Sequence, residues 1–190
     1  MAREAVRPGI SLSLAAFGQA AFAGFVVLHL EAEGPGNGAA VLVAFGAAVV
    51  GTRVLAGRLP DVVGPRKTAV GAAACEAIGL AVIGFSSSLP VALAGAVVMG
   101  FGFSVLFPSL ALIVVNAADD ARRGAALGTF TAFFDIGMGL GGLAAGAIAA
   151  GAGYPAVFWV AAAAAALGGL LAAAGSPRWR GVRADVGLPP

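Results

Sequence analysis

Cysteine, histidine and charged residues are scarce in this sequence. Its 190 residues include one cysteine, one histidine and 11% charged residues. The single cysteine, Cys75, excludes an internal disulfide and a metal site built from several cysteines. No serine–histidine pairing or phosphate-cradling loop is present, so neither an enzyme nor a bound cofactor is expected. Soluble domains carry about a quarter charged residues, which argues against a water-soluble protein here.

Apolar residues make up 60% of the chain and are gathered into six long blocks. The blocks span residues 10–30, 39–57, 68–85, 89–115, 124–151 and 154–175. About twenty such residues cross roughly 30 Å of hydrocarbon as a helix, whereas a barrel strand would alternate over about ten residues. The sequence therefore predicts an all-α membrane protein: residues 8–178 form a bundle of six transmembrane helices and residues 179–190 a flexible cytoplasmic tail.

Lysine and arginine mark one side of this predicted bundle. If the N-terminus is inside and each block crosses once, all eleven basic residues fall on the cytoplasmic side, while the outer segments carry Glu31 and Glu33. The positive-inside rule then predicts an N-in, C-in topology in a cell membrane, most simply a bacterial plasma membrane. A cleaved signal peptide is a second interpretation of the first block, but the five blocks that follow favour a membrane span.

The end of the second block and the loop that follows it carry a cluster of glycine, acidic and basic residues. Its members are Arg53, Gly57, Asp61, Gly64, Arg66 and Lys67. Glycine allows a tight helix end and a left-handed backbone. Asp61 is placed to pair with Arg53 or Arg66, or to accept hydrogen bonds from a helix N-terminus. These properties predict a latch that joins helix ends on the cytoplasmic face, and a solvated basic loop is the alternative.

This cluster resembles the loop signature of the major facilitator superfamily, G-x-L-x-D-x-x-G-x-R-R/K. Leu59 also matches, while Val62 and Pro65 depart from the usual pattern. The resemblance covers nearly all of residues 8–178. Within the family, the chain is most similar to the C-terminal half of sugar-efflux and multidrug-efflux permeases. It implies a 3+3 helix repeat that forms one half of a twelve-helix transporter.

Glycine and proline occur inside the blocks as well as between them. The chain has 30 glycines, with concentrations at residues 100–102 and 137–146. In lipid, such glycines allow helix backbones to approach closely. Gly137 and Gly141 are similar to the family's antiporter signature G-x-x-x-G-P, although Gly142 stands in place of the proline. Pro108, inside the fourth block, is expected to kink its helix.

Two acidic residues, Glu76 and Asp135, lie well inside the apolar blocks, where ionisable side chains commonly mark function. Glu76 is nine residues past Lys67 and Asp135 twelve past Arg123, depths of about 13 Å and 18 Å along a helix. Both depths approach the midplane, where transporters bind their cargo. We expect these carboxyls to carry protons or contact substrate. The alternative is that each is neutral and hydrogen-bonded in a helix contact.

Polar side chains in the first, fourth and fifth blocks are candidates to line a substrate or proton path. They are Gln19, Ser104 and Thr131, with Ser109 and Thr129 as further possibilities. The only histidine, His29, lies at the outer end of the first block beside Glu31 and is expected at the membrane interface rather than as a ligand.

Together these features predict a secondary transporter that exports a small solute at the expense of the proton gradient. The expected partners are membrane lipid, the solute and a second six-helix half, supplied by a separate chain or by a homodimer. Nucleic acid is not an expected partner. The alternatives are a membrane subunit that does not transport and a truncated, non-functional half transporter.

Overall fold

The computed structural model describes residues 3–32 and 36–174, and these residues form helices and short connections with no strand. The helices are α1 (Arg3–Ala32), α2 (Gly38–Ala56), α3 (Leu59–Val63), α4 (Pro65–Gly84), α5 (Leu89–Ala117), α6 (Arg123–Ala152) and α7 (Tyr154–Ala173), with a 3₁₀ turn at Asp120–Arg122. All except α3 and the 3₁₀ turn are long and apolar enough to cross a membrane. The predicted six-helix membrane fold is confirmed. The predicted tail, residues 179–190, lies outside the described residues.

Proline and glycine set where the helices begin. Pro65 opens α4 and prolines also occupy the first turns of α3, α5 and α7, where the missing N–H costs no hydrogen bond. Gly64, between α3 and α4, has a φ of 98°, a conformation that side-chain-bearing residues rarely adopt. Pro65, a departure from the family's loop pattern, therefore has a local role as the first residue of a membrane helix.

The helices pair in a pattern that repeats between the two halves of the chain. α1 packs mainly on α6 and α7, while α5 packs mainly on α4 and α2. The first three spans are α1, α2 and α4, and the last three are α5, α6 and α7. Exchanging the two sets in order converts the α1–α6 contact into α5–α2 and the α1–α7 contact into α5–α4. α4 and α7 then contact each other across the repeat. This pairing is the one expected of a 3+3 repeat.

Glycines lie where the helices come closest. A Cβ on Gly102 of α5 would be 2.6 Å from the backbone nitrogen of Glu76 in α4. A Cβ on Gly137 of α6 would be 2.8 Å from Cβ of Ala16 in α1. Such short distances leave no room for a side chain, so the predicted close packing of helix backbones is confirmed at these two interfaces.

The spans differ in how much of their surface the bundle covers. In their most apolar stretches, half of the residues of α1, α4 and α5 are buried, but only 17% of those of α2 and α6. Large side chains such as Leu55 on α2 and Leu143 on α6 are 88% and 74% exposed. α2 and α6 therefore present broad apolar faces that no other described helix covers.

Candidate functional site

Glu76 is enclosed in the middle of the bundle. Its side chain is 0% exposed, and neither carboxyl oxygen has a hydrogen-bond partner among the described residues. Oε1 lies against Gly18 of α1, and the backbone of Glu76 lies against Gly102 of α5. A charged carboxylate without a partner is costly in such surroundings, so this position favours a carboxyl that can hold a proton.

A second acceptor without a partner lies on α1. The side-chain oxygen of Gln19, next in sequence to Gly18, is buried and makes no hydrogen bond within the described chain. Buried polar atoms are nearly always hydrogen-bonded in proteins, so exceptions mark strain or function. The structure thus places two of the predicted path residues, Glu76 and Gln19, inside the bundle.

Asp135 lies in different surroundings, on the open face of α6. Its side chain is exposed, as is that of Thr131 one turn earlier. The Thr131 hydroxyl donates to the carbonyl oxygen of Leu127 at 3.0 Å, within its own helix. Small residues, Gly128, Ala132, Gly139 and Gly142, continue the same exposed stripe on α6. The structure therefore does not bring Asp135 together with Glu76.

Ser104 belongs to a third location, between α2 and α5. Its hydroxyl donates to the carbonyl oxygen of Val49 at 2.9 Å. Because it lies two residues after Gly102, it points to nearly the opposite side of α5 from the Glu76 contact. The hydroxyl of Ser109 donates to Val105 of its own helix at 2.7 Å. The five predicted path residues are therefore divided among three separate places.

The residues of the predicted latch lie at the junction of α2, α3 and α4. Asp61 is exposed, and the one ion pair among the described side chains, those of residues 4–32 and 36–174, is Arg123 with Asp120 at 2.9 Å. The expected pairing of Asp61 with Arg53 or Arg66 is therefore not made. The Thr68 hydroxyl of α4 instead donates locally to the carbonyl oxygen of Gly64 at 2.9 Å, and it reaches that of Leu59 in α3 at 3.4 Å.

His29, in the last turn of α1 near Glu31, is enclosed by the bundle. It is 2% exposed, and its Nε2 lies 3.1 Å from the carbonyl oxygen of Ile83. Its ring packs on Phe158 with the centroids 5.0 Å apart. The last turns of α1 are therefore covered by the end of α4 and the beginning of α7, and the expected depth of His29 at the membrane interface stays a prediction. No three His, Cys, Asp or Glu side chains cluster for a metal ion in the described part.

A family model described as Major Facilitator Superfamily matches residues 9–184. An uncharacterized MFS-type transporter of Burkholderia mallei strain SAVP1 is 37% identical over 160 residues, which cover 84% of the chain and 39% of that relative. The uncharacterized MFS-type transporter YhhS of Escherichia coli strain K12 is 35% identical over 172 residues, which cover 90% and 41%. The chain spans about two fifths of the length of these curated relatives.

Proposed function

Because this chain belongs to the major facilitator superfamily, we propose that it takes part in secondary active transport of a small solute across a bacterial plasma membrane. The observation that carries the proposal is the enclosed Glu76 carboxyl, which has no partner among the described residues. Burying such a carboxyl inside a membrane bundle costs free energy, and residues of this kind usually mark a functional site.

We assign proton coupling to Glu76 and solute contact to Asp135. Enclosure between α1, α4 and α5 separates the Glu76 carboxyl from water, so proton exchange requires these helices to move apart. Asp135 is already exposed on α6, beside Thr131, where a solute can reach it. Coupling then arises because the helix movement that exposes the Glu76 carboxyl to water also changes the surroundings of Asp135. Export rather than import is the direction suggested by the resemblance to efflux permeases.

The transporting unit has twelve helices in this proposal, of which the chain supplies six. Its bacterial relatives are about two and a half times longer than the segment that matches. Apart from the stripe around Asp135, the sparsely covered faces of α2 and α6, which carry Leu55 and Leu143, are the surfaces against which a second six-helix half packs, whether it comes from another segment, another chain or a second copy. With an N-in, C-in orientation, Asp61 faces the cytoplasm and finds its ionic partner on that second half.

The test is solute-dependent proton movement in vesicles that contain the complete twelve-helix unit. A pH-sensitive dye inside the vesicles reports protons while small amphiphilic solutes are added one at a time. We expect added solute to dissipate an imposed proton gradient. Both Glu76→Gln and Asp135→Asn should abolish this dissipation. Asp120→Asn, which changes an exposed acid outside the spans, is the matched control and should act as the unaltered protein does.

Two results would contradict the proposal. Solute that crosses the membrane at the same rate in the Glu76→Gln unit would remove the proton role. Vesicles in which no solute moves, with the unaltered and altered proteins alike, would favour a membrane subunit that does not transport.

A further inference from the structure

Every buried side-chain oxygen or nitrogen that lacks a hydrogen-bond partner within the described chain belongs to α1 or α4. These atoms are the side-chain oxygen of Gln19 and Nδ1 of His29 on α1, and both carboxyl oxygens of Glu76 on α4. Glu76 is 0% exposed and His29 is 2% exposed within this chain's own helices. A second six-helix half packs outside that cover, so it does not supply the missing partners.

His29 joins α1 to α4 by one hydrogen bond and leaves its other ring nitrogen unused. The carbonyl oxygen of Ile83, 3.1 Å from Nε2, can only accept, so Nε2 carries the hydrogen and Nδ1 is an acceptor. The same carbonyl oxygen also accepts from the Ser86 hydroxyl at 2.7 Å and from the Ser86 backbone N–H at 3.0 Å. A buried acceptor without a partner costs more than an average interhelical hydrogen bond contributes in a membrane. On balance, therefore, the His29 ring does not favour the closed arrangement.

The contact between α1 and α4 can open while each helix keeps most of its packing. α1 packs mainly on α6 and α7, and α4 packs mainly on α5 and α7. The two helices meet where Gly18 lies against the Glu76 carboxyl. They meet again where His29 bonds to Ile83, seven residues beyond Glu76 or about 10.5 Å along α4. Leu80, which lies between these two points on α4, is 0% exposed and closes the gap between them.

We propose that water enters the bundle between α1 and α4 past His29, and that Glu76 exchanges protons along this route. Opening gives Nδ1 of His29 and the carboxyl of Glu76 the hydrogen-bond partners that both lack in the closed arrangement. His29 is thus a positioning residue, because its polar ring makes this end of the contact easier to open than an apolar side chain would. With the predicted N-in orientation, this end is the outer one. The route rests on the proposed proton role of Glu76, but the opening is measured without transport.

The experiment is infrared spectroscopy of the full chain in detergent micelles after transfer from ordinary water to heavy water. The carbonyl band of a protonated carboxyl shifts on deuterium exchange, and the band that Glu76→Gln removes is the one that belongs to Glu76. His29→Phe keeps a ring against Phe158 but removes both ring nitrogens. We expect it to slow exchange at Glu76 about fivefold, because the acceptor whose hydration favours opening is gone.

His29→Gln keeps a donor and an acceptor at this position, so its exchange rate should stay within about twofold of the unaltered rate. Ser86→Ala is the matched control, because it removes a hydroxyl whose bond to Ile83 is local to the end of α4. It should also stay within about twofold. Circular dichroism confirms that each variant keeps its helices.

Three results would overturn the route. Exchange in His29→Phe that is as fast as in the unaltered chain would show that water does not enter past His29. Equal slowing in Ser86→Ala would show that any tightening of the helix end has the same effect. Absence of a Glu76 band from the unaltered chain would overturn the proton role of Glu76 together with the route, whereas the first two results leave that role standing.

Discussion

The carboxyl oxygen Oε1 of Glu76 lies where a side chain on Gly18 would have to be. A Cβ built on Gly18 would be 3.0 Å from that oxygen and 2.9 Å from Cδ1 of Leu80. Helix α1 therefore has no side chain at the place where α4 buries its acid. The absence of a side chain on one helix makes room for the ionisable group on the other, and this relationship can be tested directly.

Gly18→Ala should destabilise the bundle because the new methyl group competes with the Glu76 carboxyl for the same space. Overpacking of this kind costs about 1–3 kcal/mol. Gly24→Ala is the matched control on α1, since a Cβ there meets nothing within 4 Å. In the double variant with Glu76→Ala, part of the cost should be recovered. Thermal unfolding in detergent measures the unaltered protein, the Glu76→Ala single variant and the three variants above, and simple additivity would show that the two residues do not compete.

Glu76→Met should raise the thermal stability of the chain while abolishing coupled transport. Methionine has a similar length, and it removes a buried polar group without partners, whose desolvation costs roughly 1–3 kcal/mol. The measurement is the unfolding temperature in detergent, with Glu4→Met at an exposed position as control. A drop in stability would mean that the carboxyl has a hydrogen-bond partner in the membrane-embedded protein.

Gly64→Ala should loosen the junction between α3 and α4. The φ of 98° at this residue would cost a side-chain-bearing residue about 1–3 kcal/mol. Gly71→Ala, within α4, has nothing within 4 Å of the added Cβ and should be neutral or slightly stabilising. Limited proteolysis after Arg58, together with thermal unfolding, reports the difference. Equal behaviour of the two variants would show that Gly64 does not need its backbone freedom.

Ser11→Ala should weaken the contact between α1 and α7. The Ser11 hydroxyl donates to the carbonyl oxygen of Gly168 at 2.6 Å in a buried position, and interhelical bonds of this kind average about 0.6 kcal/mol in membranes. Ser109→Ala is the matched control, because that buried hydroxyl bonds within its own helix. The unfolding temperature of Ser11→Ala should be lower than that of Ser109→Ala. The reverse order would remove the bridging role of Ser11.

The functional positions could be predicted only in part from the sequence. Glu76 and Asp135 are both acids at mid-span, and nothing in the sequence distinguishes the surroundings of one from those of the other. Only the packing shows that one is enclosed and the other is exposed on α6. The reason is that these helices are apolar on every side, so no polar stripe indicates which face turns inward. The same limit applies to His29, whose burial between α1, α4 and α7 nothing in the sequence indicates.

The number and approximate position of the spans were determined by the sequence alone, because transfer of apolar side chains into lipid depends on how many follow one another and not on their neighbours in space. Proline at the first turns and Gly64 likewise act locally. The rotation of each helix about its axis was decided only by the tertiary structure. Contacts such as Gly18 with Glu76 and Gly102 with the Glu76 backbone depend on residues distant in the chain, and close packing of backbones selects one rotation among many of similar hydrophobicity.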